Sequence, residues 1–177
     1  GKPLINIKRI PMIIRTYNQC KKAVHSSNII VATDHKKILN LCKKNNINVI
    51  MTSKNCLTGT DRVAEVSRKI KKTFYINVQG DEPICNPADI KKMISLAKKY
   101  PTKVISGFTE IKEKKIFYSP HVPKVVFRKD RNLIYMSRAP IPSNKNQRFI
   151  KAWRQVCIYS FPHKSLKVFT NLKRKTP

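Results

Sequence analysis

The sequence predicts an α/β protein with a mostly parallel sheet, followed by a smaller and more antiparallel region. Three observations predict it. Short apolar runs alternate with helical-period segments between Pro11 and Lys99. Two of those runs, Ile29-Ile30-Val31-Ala32 and Phe74 to Val78, are nearly continuous, as in strands buried on both faces. After Lys103 the texture changes to closely spaced short strands.

Taken in order, Pro11 to Val24 carries Ile13, Tyr17, Cys20 and Val24 at helical spacing, with Pro11 suited to the first turn. Asn28 to Thr33 is a strand. Asp34 is placed to cap the next helix, in which Ile38, Leu41 and Cys42 share a face and which ends at Asn45-Asn46. Ile47 to Met51 is a second strand. Thr58-Gly59-Thr60 reads as a turn, and Asp61 begins a helix with Val63, Val66 and Ile70 inward. After the strand Phe74 to Val78, Asn86-Pro87 opens a helix that buries Ile90, Met93, Ile94 and Ala97. Strands follow at Val104 to Phe108, Lys124 to Phe127, Leu133 to Ser137 and Val156 to Phe161. A last helix runs from Pro162 to Leu172.

A chain of 177 residues, 41% hydrophobic with only four glycines, can bury a core and is not a disordered polymer. No run approaches the roughly 18 apolar residues that a membrane-spanning helix needs. Five scattered cysteines without a C-x-x-C pair exclude a zinc knuckle and read as reduced thiols of a cytoplasmic protein. The net charge of +29 invites a nucleic-acid reading. However, the lysines are strewn in pairs such as Lys21-Lys22, Lys43-Lys44 and Lys98-Lys99 on outer helix faces. That pattern favours a solvated surface over a specific polyanion site.

In open α/β sheets ligands sit beyond the carboxyl ends of strands. Three polar clusters fall there: Thr33-Asp34-His35, Thr58 to Arg62, and Gln79-Gly80-Asp81-Glu82. The third is the strongest, because the chain has only nine carboxylates and two are adjacent directly after a buried strand. Gly80 allows a sharp turn and close backbone approach to a ligand. A carboxylate at Asp81 suits Mg²⁺, an oxygen-seeking ion that keeps substrate phosphates in its shell. Arg62, a cation in the first turn of a helix, is out of keeping with the helix dipole, and so it either serves a ligand or pairs with Asp34 or Asp61. The four histidines are too scattered for a metal set.

These strings also resemble a known family. Gly1-Lys2-Pro3-Leu4, Val31-Ala32-Thr33-Asp34-His35, Thr58-Gly59-Thr60-Asp61-Arg62, Asn77-Val78-Gln79-Gly80-Asp81-Glu82-Pro83, Pro123-Lys124-Val125-Val126, Ser137-Arg138-Ala139 and Ile158-Tyr159 look like the 3-deoxy-manno-octulosonate (Kdo) cytidylyltransferases. The resemblance implies a Rossmann-like, three-layer nucleotide-diphosphosugar-transferase fold and a cytoplasmic homodimer. It implies CTP and Kdo as substrates, Mg²⁺ as cofactor, and CMP-Kdo for lipopolysaccharide synthesis as product. It makes residues 1–177 one incomplete α/β domain, with a nucleotide- and metal-binding half over 1–103 and a sugar-binding and dimerising half over 104–177. Asp81 becomes the metal ligand and Lys2 a catalytic triphosphate contact. Thr58, Gly59, Thr60 and Arg62 fall near the nucleotide, and Gln79, Arg138, Gln155 and Tyr159 near the sugar. Gln155 stands where many members carry His. An Arg-bearing phosphate loop and a late metal-binding Asp of the family fall outside this sequence. A different acidic sugar, such as a nonulosonic acid, an inactive remnant, and a basic nucleic-acid-binding module stay open as other readings.

Overall fold

The computed structural model describes residues 2–146 and 148–171, which form two compact units. The first comprises the described residues up to Ile105 together with those from Ile158 onward, and the second spans Ser106–Cys157. The boundaries of these compact units differ from the functional halves expected at 1–103 and 104–177. The chain returns to the first unit at Ile158, so Tyr159 belongs with the residues expected to bind nucleotide and metal. A strand's partner is set by long-range pairing, which a local pattern does not encode.

The first unit opens with a short 3₁₀ turn, Lys2–Leu4, and a hairpin of β1 (Asn6–Ile7) and β2 (Ile10–Pro11) that the sequence pattern does not announce. Lys8 and Arg9 at its tip both take positive φ, 47° and 66°, as the mirror-image turns of two-residue hairpins require. Arg15 Nε donates to the Ile7 carbonyl at 2.8 Å and helps to hold this turn. Helix α1 (Met12–Lys21) follows, with Pro11 just outside it as the N-cap. Strand β3 (Val31–Thr33), helix α2 (Lys36–Lys44) and strand β4 (Val49–Met51) form a β-α-β unit with β3 and β4 parallel, Val31 opposite Val49. Its core joins Ile13 and Tyr17 of α1 to Val31, Ile38, Cys42 and Ile47.

Asp34 does not cap α2. His35 does, its Nδ1 accepting from the Lys37 amide at 3.2 Å, because the Asp34 carboxylate is held by Arg62 at 3.1 Å. Helix α3 (Gly59–Lys69) begins two residues before Asp61, and Thr58 and Asp61 together form its capping box. Strand β5 (Phe74–Val78) and helix α4 (Pro87–Lys99) match the sequence reading, with Asn86 accepting from the Ala88 amide as cap.

In the second unit lie β6 (Ile105–Glu110), the short helix α5 (Lys114–Tyr118), β7 (Lys124–Phe127) and β8 (Leu133–Ser137). Strand β9 (Trp153–Pro162) starts there and ends in the first unit. Strand β7 runs antiparallel to β8 and to the start of β9, and β6 also pairs with β9. A small core of Ile111, Phe117 and Ala152 is backed by Ile116 and Phe149. In the first unit the end of β9 pairs antiparallel with β5, Asn77 opposite Tyr159. Helix α6 (His163–Asn171) then packs on α3, anchored by the buried Leu166. The α/β class holds, with parallel and antiparallel pairing both present: β3 and β4 run parallel in a sheet of their own, whereas β5–β9, β7–β8 and β7–β9 run antiparallel.

Candidate active site

The loop after β5 stands on α1. Thr16, 3% exposed, lies with its hydroxyl 3.1 Å from the Gly80 carbonyl and 3.2 Å from the Met12 carbonyl. The Glu82 amide closes the turn by donating to the Gln79 carbonyl at 3.1 Å. Gly80 does not have a positive φ. The reason for glycine is packing, since a Cβ added there would meet Ile13 Cδ1 at 3.0 Å. On this base Asp81 projects outward, and Lys2 Nζ donates to its Oδ2 at 2.7 Å. The hydrogen bond to Asp81, and then its charge, hold the Lys2 ammonium above its ordinary range. The two residues expected to carry catalysis thus meet, although 79 positions separate them.

Beside β5 lies the N-terminus of α3. The Thr58 amide donates to Asp61 Oδ2 at 2.8 Å and the Asp61 amide donates to Thr58 Oγ1 at 3.3 Å, which fixes the first turn. Thr58 and Gly59 are exposed and Thr60 is half-buried. Gly59 faces Asn77, whose Nδ2 would lie 3.8 Å from an added Cβ. Asn77 and Tyr159 are opposite one another in the ladder and so share a face of the sheet. The half-buried Tyr159 ring stacks on Phe161 at 6.0 Å. Gln79 is exposed one residue beyond β5.

Arg62 has a structural occupation. Its Nη1 donates to Thr52 Oγ1 at 2.6 Å and its Nη2 to Asp34 Oδ2 at 3.1 Å. Asp34 follows β3 and Thr52 follows β4, so one guanidinium clamps the ends of both strands. Burial opposes ionisation of Asp34, but the Arg62 hydrogen bond and charge prevail and hold its carboxyl below the ordinary range. Glu65 braces the preceding loop by accepting from the Ser53 amide at 2.9 Å. That bond is the leading reason its pKa is lowered.

In the second unit Arg138, exposed just after β8, has Nη1 3.5 Å from the Pro120 carbonyl. It does not pair with Asp130, which is taken by Arg128 and Asn132. Gln155 is half-buried, and its amide donates to the Pro123 carbonyl at 3.0 Å. The sequence alone assigned no role to Thr16, and none to Asn77 and Lys124 beyond their place in the resembling strings. Each carried a signal: a polar residue on an inward helix face, an amide inside a buried strand, and a lysine in the apolar run Val122 to Phe127.

Among the described residues no three metal-ligating side chains cluster. Asp81 fits a cation of the kind that takes one protein carboxylate and completes its shell with phosphate and water oxygens. The Cys20 thiol is pushed up to about 12 by burial and by the neighbouring Cys85, so it is no nucleophile near neutral pH.

A family model described as "Cytidylyltransferase" matches residues 1–176. The 3-deoxy-manno-octulosonate cytidylyltransferase of Chloroherpeton thalassium is 33% identical over 177 residues, covering 97% of this chain and 71% of the relative. The mitochondrial 3-deoxy-manno-octulosonate cytidylyltransferase of Arabidopsis thaliana is 34% identical, covering 98% and 61%. A solved structure of CMP:2-keto-3-deoxy-manno-octonic acid synthetase complexed with CTP superposes with a TM-score of 0.90 at 30% identity, covering 100% of this chain and 73% of that one. The 4-diphosphocytidyl-2C-methyl-D-erythritol synthase of Anaerococcus prevotii, 14% identical with a TM-score of 0.62, shares the fold alone. With the Lys2–Asp81 pair at the end of β5 and a family match over nearly its whole length, this chain belongs to the cytidylyltransferases, among the 3-deoxy-manno-octulosonate cytidylyltransferases.

Proposed function

We propose that the chain joins Kdo to CMP, using CTP and releasing pyrophosphate, and so supplies CMP-Kdo for lipopolysaccharide synthesis. The observation that carries this reading is the meeting of Lys2 and Asp81 at 2.7 Å on the loop after β5, in a chain of this family. The related enzyme bound to CTP supports the nucleotide.

In the reaction a sugar hydroxyl oxygen bonds to the α-phosphorus, the bond from that phosphorus to the β-phosphate oxygen breaks, and the hydroxyl proton passes to solvent. Lys2 neutralises the triphosphate as charge collects on the departing pyrophosphate. Asp81 would hold Mg²⁺, which would supply positive charge at the phosphate oxygens and favour ionisation of the attacking hydroxyl. In the free chain each of these two groups is the other's counter-ion, so substrate arrival exchanges one partner for another. Thr58 to Thr60 offer the open start of α3 to the nucleotide, and Arg62 steadies the strand ends beneath. Gln79 and Tyr159 meet the sugar, Arg138 grips its carboxylate in two parallel bonds, and Gln155 tunes which sugar is accepted. A homodimer in the cytoplasm goes with this reading. The exposed run Leu133-Ile134-Tyr135 on β8, 52%, 61% and 61% exposed, supports such assembly.

The test is calorimetry of the full-length protein with Mg²⁺ and either CTP or ATP, followed by pyrophosphate release with Kdo. CTP is expected to bind at least about tenfold more tightly than ATP. Equal affinity overturns the nucleotide assignment, and turnover only with another acidic sugar overturns the sugar assignment.

A further inference from the structure

Lys124 opens β7, yet its side chain is wholly inside, at 0% exposure. Its Nζ donates to three backbone carbonyls: Ser119 at 2.7 Å, Val122 at 2.9 Å and Arg138 at 2.6 Å. An ammonium has three N–H donors, so each has its own acceptor. No carboxylate pairs with it among the described residues. Burial pushes its pKa down from the ordinary lysine value. Burying a cation without a counter-ion is costly, and an apolar side chain would fill the same space without that cost. The charge therefore does something that packing alone would not.

What it does is set by where the three carbonyls lie. Ser119 and Val122 bracket the turn before β7, which the Val122 amide closes by donating to the Ser119 carbonyl at 3.3 Å. The third carbonyl belongs to the residue that follows β8, and Lys124 lies opposite Ser137 in the β7–β8 ladder. The guanidinium of that same residue, Arg138, approaches the Pro120 carbonyl in the same turn at 3.5 Å. Backbone and side chain of Arg138 are thus both referenced to one turn, and the buried ammonium joins them.

We propose that Lys124 is a positioning residue for Arg138, fixing the backbone from which its guanidinium reaches the carboxylate of the sugar substrate. This rests on the reading that Arg138 meets that sugar.

The experiment is steady-state kinetics of the full-length protein with Kdo and CTP on Lys124→Met, Arg138→Lys and the double variant. Arg138→Lys is expected to raise KM for Kdo about tenfold and to leave that for CTP within about twofold. Lys124→Met is expected to do the same. The double variant is expected to be worse than Arg138→Lys by no more than about twofold, since both act through one contact. If Arg138→Lys leaves KM for Kdo unchanged, the Arg138 assignment fails and the proposal with it. If Arg138→Lys behaves as expected but Lys124→Met raises neither KM, raises both equally, or multiplies fully with Arg138→Lys, then Lys124 only supports the fold and the proposal is overturned. Should Lys124→Met not fold, Lys124→Gln keeps two donors. A folded Gln variant with an intermediate KM for Kdo supports the proposal, and one with an unchanged KM overturns it.

Discussion

Two regions of this molecule use a lysine in opposite ways. After β5, Lys2 is 67% exposed and faces the carboxylate of Asp81. At the start of β7, Lys124 is fully enclosed and faces three neutral carbonyls. The first arrangement contributes little to stability, because water screens an exposed pair and competes for both partners. For the same reason it exchanges partners easily. The second exchanges nothing, because each of its donors is already taken by the backbone. The exposed lysine is free to change partners, and the enclosed one is tied to the backbone around it.

The largest expected effect tests the exposed region. Asp81→Asn keeps the side-chain shape and removes the charge, so kcat should fall by about 10²–10³-fold while the circular dichroism spectrum and Tm stay near those of the parent. Pyrophosphate release within a few-fold of the parent would take Asp81 out of the chemistry and erase the contrast.

Arg62 lies between the two extremes, at 21% side-chain exposure with one charged and one neutral partner. Arg62→Met should lower stability by about 2 kcal/mol, or about 5 °C in Tm, because Thr52 and Asp34 lose their shared donor. Thermal melting and KM for CTP, measured together, separate its two possible duties. A stable variant with a raised KM for CTP would mean that its main work is on the nucleotide rather than on the strand ends.

The smallest effect concerns the base under Asp81. Gly80→Ala should cost about 1 kcal/mol, because its Cβ presses on Ile13 Cδ1 at 3.0 Å inside the core. Gly59→Ala meets nothing closer than 3.8 Å and has no positive φ to lose, so it should be neutral or stabilising by about 0.5 kcal/mol. Urea titration of both variants checks the pair, and equal costs would show that the base is not set by packing on α1.

Where structure follows from short-range chemistry, it was legible in the sequence. Asn86-Pro87 opens α4 as its cap chemistry requires, and the bounds of β5, β7 and β8 follow from apolar runs ending at polar residues. The loop at Asp81 was legible for the same reason, as was the choice of Asp34 or Asp61 for Arg62. What stayed hidden depends on distant partners. His35 rather than Asp34 is the cap next to Lys36, and the Asp34 carboxylate is held by Arg62, 28 residues on. The β1–β2 hairpin turns on Lys8 and Arg9, residues that seldom adopt positive φ, so no glycine or asparagine marks it. Lys124 reads as one more lysine of a lysine-rich chain until three carbonyls are seen around it.

The route of the chain through the second unit has a consequence for how such a molecule can change. It enters that unit along β6 and leaves along β9, and these strands pair, with Gly107 so close to Val156 that an added Cβ would stand 3.1 Å from its Cβ. Entrance and exit therefore lie side by side, as in a cassette spliced into a continuous host. A cassette of that kind can be lengthened, trimmed or exchanged between lineages without rerouting the remainder of the chain.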